Sequence, residues 1–237
     1  MKKTILAVFF SLFILTSANA EIGLNVGVSA QVGAMDTKGE ETNSDGASFT
    51  QTSDGEEHLF ATAGFFIEKD LSFLPGGLGE NIGSRISIGF DNIAHDIDLG
   101  TQSNFRAASL GAAGAAVSSG NNSLSAEVTG FETIYATINI FDWLYVKAGD
   151  VTVDVATTFM KSGVKSSDYG NSHSLDGNMI GFGVETSNDS GFFARLEYNS
   201  YDIGGKKVTS AGADSTLSAE LKDVSGETAR ISIGKSF

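Results

Sequence analysis

The 237-residue chain is predicted to be all-β: an eight-stranded antiparallel up-and-down transmembrane β-barrel with four long extracellular loops. Three observations predict this. Apolar residues recur with period two nearly everywhere after residue 20, which is the strand period. Short and long connections alternate along the chain. No later stretch holds 18 consecutive apolar residues, so a membrane span by helix is not expected.

The N-terminus reads as an export signal. Lys2 and Lys3 precede an apolar run from Ile5 to Leu15, and Ala18-Asn19-Ala20 follows. A charged segment, an apolar segment and an A-x-A site together make a secretory signal peptide. The apolar run is too short for a spanning helix, which needs roughly 20 residues. Residues 1–20 are therefore expected to be removed after export by the Sec pathway, with cleavage marked by Ala18 and Ala20, leaving 21–237 as one barrel domain. Loss of Lys2 and Lys3 leaves 15 − 2 = 13 basic residues against 29 acidic ones, a net charge of −16. Such a surface excludes a nucleic-acid partner, which requires a basic face. The chain has no cysteine, so disulfides and thiol chemistry do not arise. Closing a barrel is another route to stability, because it pairs every strand edge.

The elements follow in order. Ile22, Leu24, Val26, Val28, Ala30 and Val32 alternate with Gly23, Asn25, Gly27, Ser29, Gln31 and Gly33. This strand matches the 9–11 residues that a tilted strand needs to cross a membrane. The second strand places Leu59, Ala61, Ala63, Phe65 and Ile67 on one face, and the third Ile86, Ile88 and Phe90. The fourth, about 126–140, carries Ile134, Ala136, Ile138 and Ile140. The fifth, about 143–157, changes phase from Leu144, Val146 and Ala148 to Val151, Val153 and Val155. A one-residue slip reverses every side chain, so a bulge is expected near Gly149-Asp150. The sixth carries Ile180, Phe182 and Val184, the seventh Phe192, Ala194, Leu196 and Tyr198, and the last Ala229, Ile231, Ile233 and Phe237. Links at Asp70–Asn81, Phe141–Asp142 and Ser187–Ser190 are short or compact, whereas 36–56, 96–125, 158–177 and 202–225 are long and polar. Short periplasmic turns and long outer loops have this rhythm. Rings at Phe65-Phe66, Phe141, Trp143, Tyr145, Phe192-Phe193, Tyr198, Tyr201 and Phe237 suggest interfacial girdles.

The polar parity collects charges of both signs. Arg85, Lys147, Arg195 and Arg230 are expected to face the lumen with Glu68, Asp91, Glu185 and Glu197. Buried charges must be paired, so these eight predict either a plug of ion pairs or, less directly, a narrow ion path. His58, His95 and His173 fall at strand ends or in loops. Neighbouring strand residues point to opposite faces, so His95-Asp96 makes a poor catalytic dyad, and an enzyme acting on lipid or peptide is not expected. The acidic stretch with Asp36, Glu40, Glu41, Asp45, Asp54, Glu56 and Glu57 matches no calcium loop. Neither a cofactor nor a metal site is expected.

The closing stretch Thr228-Ala229-Arg230-Ile231-Ser232-Ile233-Gly234-Lys235-Ser236-Phe237 resembles the C-terminal strand signal of bacterial outer-membrane barrels. With the export signal and the strand count, the whole mature chain resembles the small OmpA/OmpX-like and opacity-type barrels of the porin family. The resemblance implies a cell outer-membrane location among lipid and lipopolysaccharide. It implies recognition of Ile231, Ile233 and Phe237 by the barrel assembly machinery. It further implies a rigid scaffold whose loops meet a surface ligand, or else a small passive porin-like channel.

Overall fold

The computed structural model describes residues 23–43, 50–75, 79, 82–94, 96–105, 121–161, 164–166, 172–209, 217–222 and 224–237. Twelve strands form one sheet: β1 (Leu24–Asn43), β2 (Thr50–Asp70), β3 (Ile86–Ile93), β4 (Ile97–Phe105), β5 (Asn121–Phe141), β6 (Leu144–Lys161), β7 (Val164–Ser166), β8 (Ser172–Ser187), β9 (Phe192–Ile203), β10 (Lys206–Thr209), β11 (Leu217–Leu221) and β12 (Val224–Ser236). β1, β2, β3, β5, β6, β8, β9 and β12 pair antiparallel in a ring, closed by β1 against both β2 and β12. The barrel is thus eight-stranded. β4, β7, β10 and β11 extend its hairpins at the end away from the chain terminus.

The register fixes the shape. One ladder row runs Val26, Ile67, Phe90, Ile134, Asp150, Asn178, Asp202, Ser225 and returns to β1 at Asp36. The offset on closure is 36 − 26 = 10 residues. Eight strands with that stagger tilt about 40° to the axis and leave an interior just wide enough for side chains.

Most of these strands are far longer than a membrane requires. β1, β2, β5 and β6 have 20, 21, 21 and 18 residues, against about 9–11 for a crossing. Much of what the polarity of 36–56, 158–177 and 202–225 suggested as loop is therefore hairpin, because polar residues sustain a ladder equally well where both faces meet water. Turns at the other end are tight. Asn188 Oδ1 accepts from the N–H groups of Ser190 (3.0 Å) and Phe192 (3.1 Å), an Asx turn, and Gly191 has φ +79°, which suits glycine. The Asp70 link holds a 3-10 turn at Gly83–Arg85.

No bulge interrupts β6 at Gly149-Asp150: its pairing with β5 and β8 runs through both residues in register. The irregularities lie on β5, between Val128 and Gly130 and between Asn139 and Phe141. The phase change in β6 has a different cause. Val146 and Ala148 are exposed on the outer face, whereas Val151, Val153 and Val155 are buried inside. Side chains keep their alternation, and it is the location of the apolar ones that changes.

Candidate functional site: the barrel lumen

The same exchange occurs around the wall. On β9, Phe192, Leu196 and Tyr198 are exposed outside, but Tyr201 and Ile203 are buried inside. On β8, Ile180 and Phe182 face out, and Met179 and Leu175 face in. On β1, Val28 and Val32 face out and Met35 faces in. Above the exchange the outer face carries Glu132, Asp150, Asn178, Asp202 and Glu227, all exposed. Below it, the outer face is a continuous apolar belt that only lipid can cover at low cost. The exchange therefore marks the upper edge of the membrane.

The lower lumen is ionic. Glu68 on β2 meets Arg195 on β9 directly across the interior (Oε1 to Nη1, 2.7 Å), and Tyr135 OH donates to the same carboxylate at 2.8 Å. Asn25 donates to its other oxygen at 3.4 Å. Arg230 on β12 pairs with Asp91 on β3, and its Nε lies 3.3 Å from Glu197 Oε2. Lys147 Nζ lies 3.4 Å from Glu197 Oε1 and 3.9 Å from Asp91 Oδ2. Glu68, Asp91, Glu197, Lys147, Arg195 and Arg230 are all buried. Three negative charges balance three positive ones. Glu185 stands at the mouth, half-buried, and binds Arg195 Nε at 2.5 Å. Arg85 does not join them. It is exposed in the 3-10 turn before β3, because the ladder of β3 begins one residue later and parity no longer aims its side chain inward.

Rings fill the space between the charges. Lys147 Nζ lies 3.7 Å from the centre of Tyr135, and Arg195 packs on Phe193 (4.6 Å), Tyr145 (5.3 Å) and Phe66 (5.4 Å), each a favourable cation–π contact. Four inward rings face four glycines on neighbouring strands: Phe66 with Gly27, Tyr135 with Gly89, Tyr145 with Gly183 and Phe193 with Gly234. A Cβ on Gly89 would stand 2.3 Å from the Tyr135 ring. The glycines thus provide the volume the rings occupy. Sequence reasoning placed Phe66, Tyr145, Phe193 and Tyr201 in the girdles, but all four are buried inside. Exposed rings do gather at the turn end: Phe141 and Trp143 stack at 5.8 Å. Lys235 there lies 4.6 Å from Phe192 and 5.4 Å from Phe237.

The upper lumen is apolar. Met35, Ile93, Ile97, Val128, Phe131, Val151, Val153, Val155, Leu175, Met179, Tyr201, Ile203 and Val224 form one buried cluster with the base at Tyr135. Sequence reasoning missed it entirely. The one legible signal was the phase change in β6. Ile231 and Ile233 lie on the outer belt, 58% and 61% exposed, and Phe237 ends it at 48%. Ala18, Ala20 and His95 lie outside the described residues. Among the described residues, no helix is long and apolar enough to cross a membrane, and no group of three His, Asp or Glu side chains is arranged to hold a metal ion.

No family model matches the chain, and no curated protein does. Solved structures do. It is similar to the outer membrane protein OprG from Pseudomonas aeruginosa (8% identity, 92% of this chain and 98% of that one, TM-score 0.44). It is similar also to the outer membrane protease OmpT from Escherichia coli (7%, 94% and 99%, 0.42) and to Neisserial surface protein A (12%, 89% and 97%, 0.35). These likenesses concern the fold alone. Closure through β1, an offset of ten residues and an outward apolar belt make the chain a small eight-stranded barrel of the outer-membrane type.

Proposed function

We propose that this protein is a non-enzymatic integral outer-membrane barrel whose wall holds surface hairpins and loops in place, in a structural or adhesion-type role. The observation that carries this reading is the balanced ion-pair cluster. Its six buried charges are directed at one another across the lumen, whereas a conducting pore needs groups that exchange their partners for passing ions. The apolar cluster above adds a second obstruction. A rigid, closed scaffold with long rims suits function carried on loops. In this reading residues 1–20 are cleaved after Ala20 on export by the Sec pathway. The assembly machinery reads Ile231, Ile233 and Phe237, the belt meets outer-membrane lipid, and the acidic rim stands among lipopolysaccharide headgroups. The loops present the surface that a ligand meets.

Single-channel recording of the refolded mature chain in a planar bilayer tests the scaffold reading. An inserted but silent barrel is the expected result. Discrete, ion-selective steps would establish the passive porin-like channel instead.

A further inference from the structure

We infer that the outer face of β12, β1 and β2 is a seat for one phospholipid of the inner leaflet, with its phosphate at Lys235 and an acyl chain in a furrow above. This rests on the reading of the chain as an outer-membrane barrel whose tight turns lie in the periplasm. The furrow has a cause in the sequence. Elsewhere the belt is mostly bulky, with Ile138, Val146, Ile180 and Phe182 exposed. On β2, β1 and β12 four outward places hold alanine: Ala30 faces Ala63, and Val32 lies between Ala61 and Ala229. Alanine ends at Cβ, so the surface is sunk between the exposed side chains of Phe65 and Leu196. Two adjoining hollows of about 600 and 510 Å³ result, and they share Ala30, Ala63 and Ile231.

Length and charge select the occupant. Val26 faces Lys235 across the ladder, and from there to Val32 is 32 − 26 = 6 residues, about 20 Å along the strand. At a tilt of about 40° this is about 15 Å along the membrane normal, half of a hydrocarbon core about 30 Å thick. At the foot, Ile233 and Lys235 are consecutive outward residues of β12. The Lys235 ammonium lies 4.6 Å from the Phe192 ring and 5.4 Å from the Phe237 ring, and donates to Ser190 O at 3.4 Å. These contacts hold it at headgroup depth and leave its charge uncancelled, since no carboxylate pairs with it among the described residues. The other lysine at this end, Lys69, is buried and bound to Asp70 at 3.3 Å. Lipid tails are as apolar as leucine, so the furrow alone distinguishes no lipid from its neighbours. The ammonium fixes the phosphate, and the furrow then adds dispersion contact along the chain. A second copy fits less well: about an axis along the membrane normal it would set Lys235 against Lys235 and one sunken face against another.

Native mass spectrometry of the refolded mature chain, released from nanodiscs of phosphatidylethanolamine, tests this. One lipid retained per barrel is expected. Lys235→Gln should lower the retained fraction about fivefold, whereas Lys235→Arg keeps the charge and should keep the lipid. Ala30→Leu, which fills the furrow and leaves Lys235 in place, should lower retention as well. Ile180→Ala, on a distant part of the belt, should leave it unchanged. All four positions face outward, and the mobility difference between folded and unfolded barrel confirms that each variant is folded. The inference is overturned if wild type retains no lipid, if Lys235→Gln or Ala30→Leu retains as much as wild type, or if Ile180→Ala loses as much as they do. A lipid-free dimer that Ala30→Leu dissolves would also overturn it, in favour of a second copy. A silent or conducting bilayer reports on the lumen alone, so the scaffold reading and the lipid seat fail by different measurements.

Discussion

At the height of Glu68 and Arg195 the barrel is ionic inside and aliphatic outside; at the height of Met179 and Phe131 it is aliphatic inside and acidic outside. One wall runs through both regions, and along β6, β8 and β9 its alternation is unbroken. The difference follows from what surrounds each. Lipid is as apolar as a protein core, so within the membrane the outer face takes the aliphatic residues and the narrow interior is left to polar groups. Above the membrane water covers the wall, and the ordinary hydrophobic effect again draws apolar side chains inward. The two regions also differ in how they tolerate damage. An ionic cluster is intolerant of losing one partner but indifferent to losing a matched pair. An aliphatic cluster loses in proportion to the volume removed.

The sharpest test of that contrast lies in the lower lumen. Arg230→Met leaves Asp91 and Glu197 with an uncompensated buried charge and should cost about 3–5 kcal/mol. Adding Asp91→Leu leaves Lys147 beside Glu197 and restores balance, so the double variant should recover most of the loss. Urea unfolding in detergent, followed by the mobility difference between folded and unfolded barrel, measures both; equal losses in single and double variants would refute the pairing account. In the upper lumen, Met179→Ala should cost about 2–5 kcal/mol, with no charge partner able to rescue it. The membrane boundary itself is tested on one strand and one face. Leu196→Arg, in the middle of the β9 belt, should cost about 2–4 kcal/mol, whereas Asp202→Arg, six positions higher, should cost about 0–1. Equal costs would place the boundary elsewhere. Smallest of all, Lys207→Ala removes a rim ion pair with Glu220 (3.6 Å, with Lys207 55% exposed) and should change stability by about 0–1 kcal/mol. A larger change would mean that the β10–β11 hairpin bears on the barrel below.

Much of the architecture was legible in order along the chain. Period-two alternation in 22–33, 59–68 and 228–237, with tight links at Phe141–Asp142 and Ser187–Ser190, led to eight staves, and the staves are there. The eight lumen charges were chosen by parity, and parity served wherever the ladder was regular: six lie in the buried cluster and Glu185 at its mouth. It failed at Arg85, where no ladder exists to enforce it. Phe66, Tyr145 and Phe193 share the parity of Glu68, Lys147 and Arg195, but their place at strand ends pointed to the girdles; the glycine that stands opposite each and gives it room inside is a matter of register.

By itself the sequence determined the period, and therefore that these segments are strands with two unlike faces. Alternation is blind to which side is which, since the same pattern describes an apolar face turned to lipid or to a core. Only the closed barrel decided that Val146 faces out and Val151 faces in. Only closure, too, could bring Glu68 to Arg195 and Asp91 to Arg230, 127 and 139 residues apart in the chain. A contact across a lumen is set by strand number and stagger, which belong to the ring as a whole and to no single stretch of sequence.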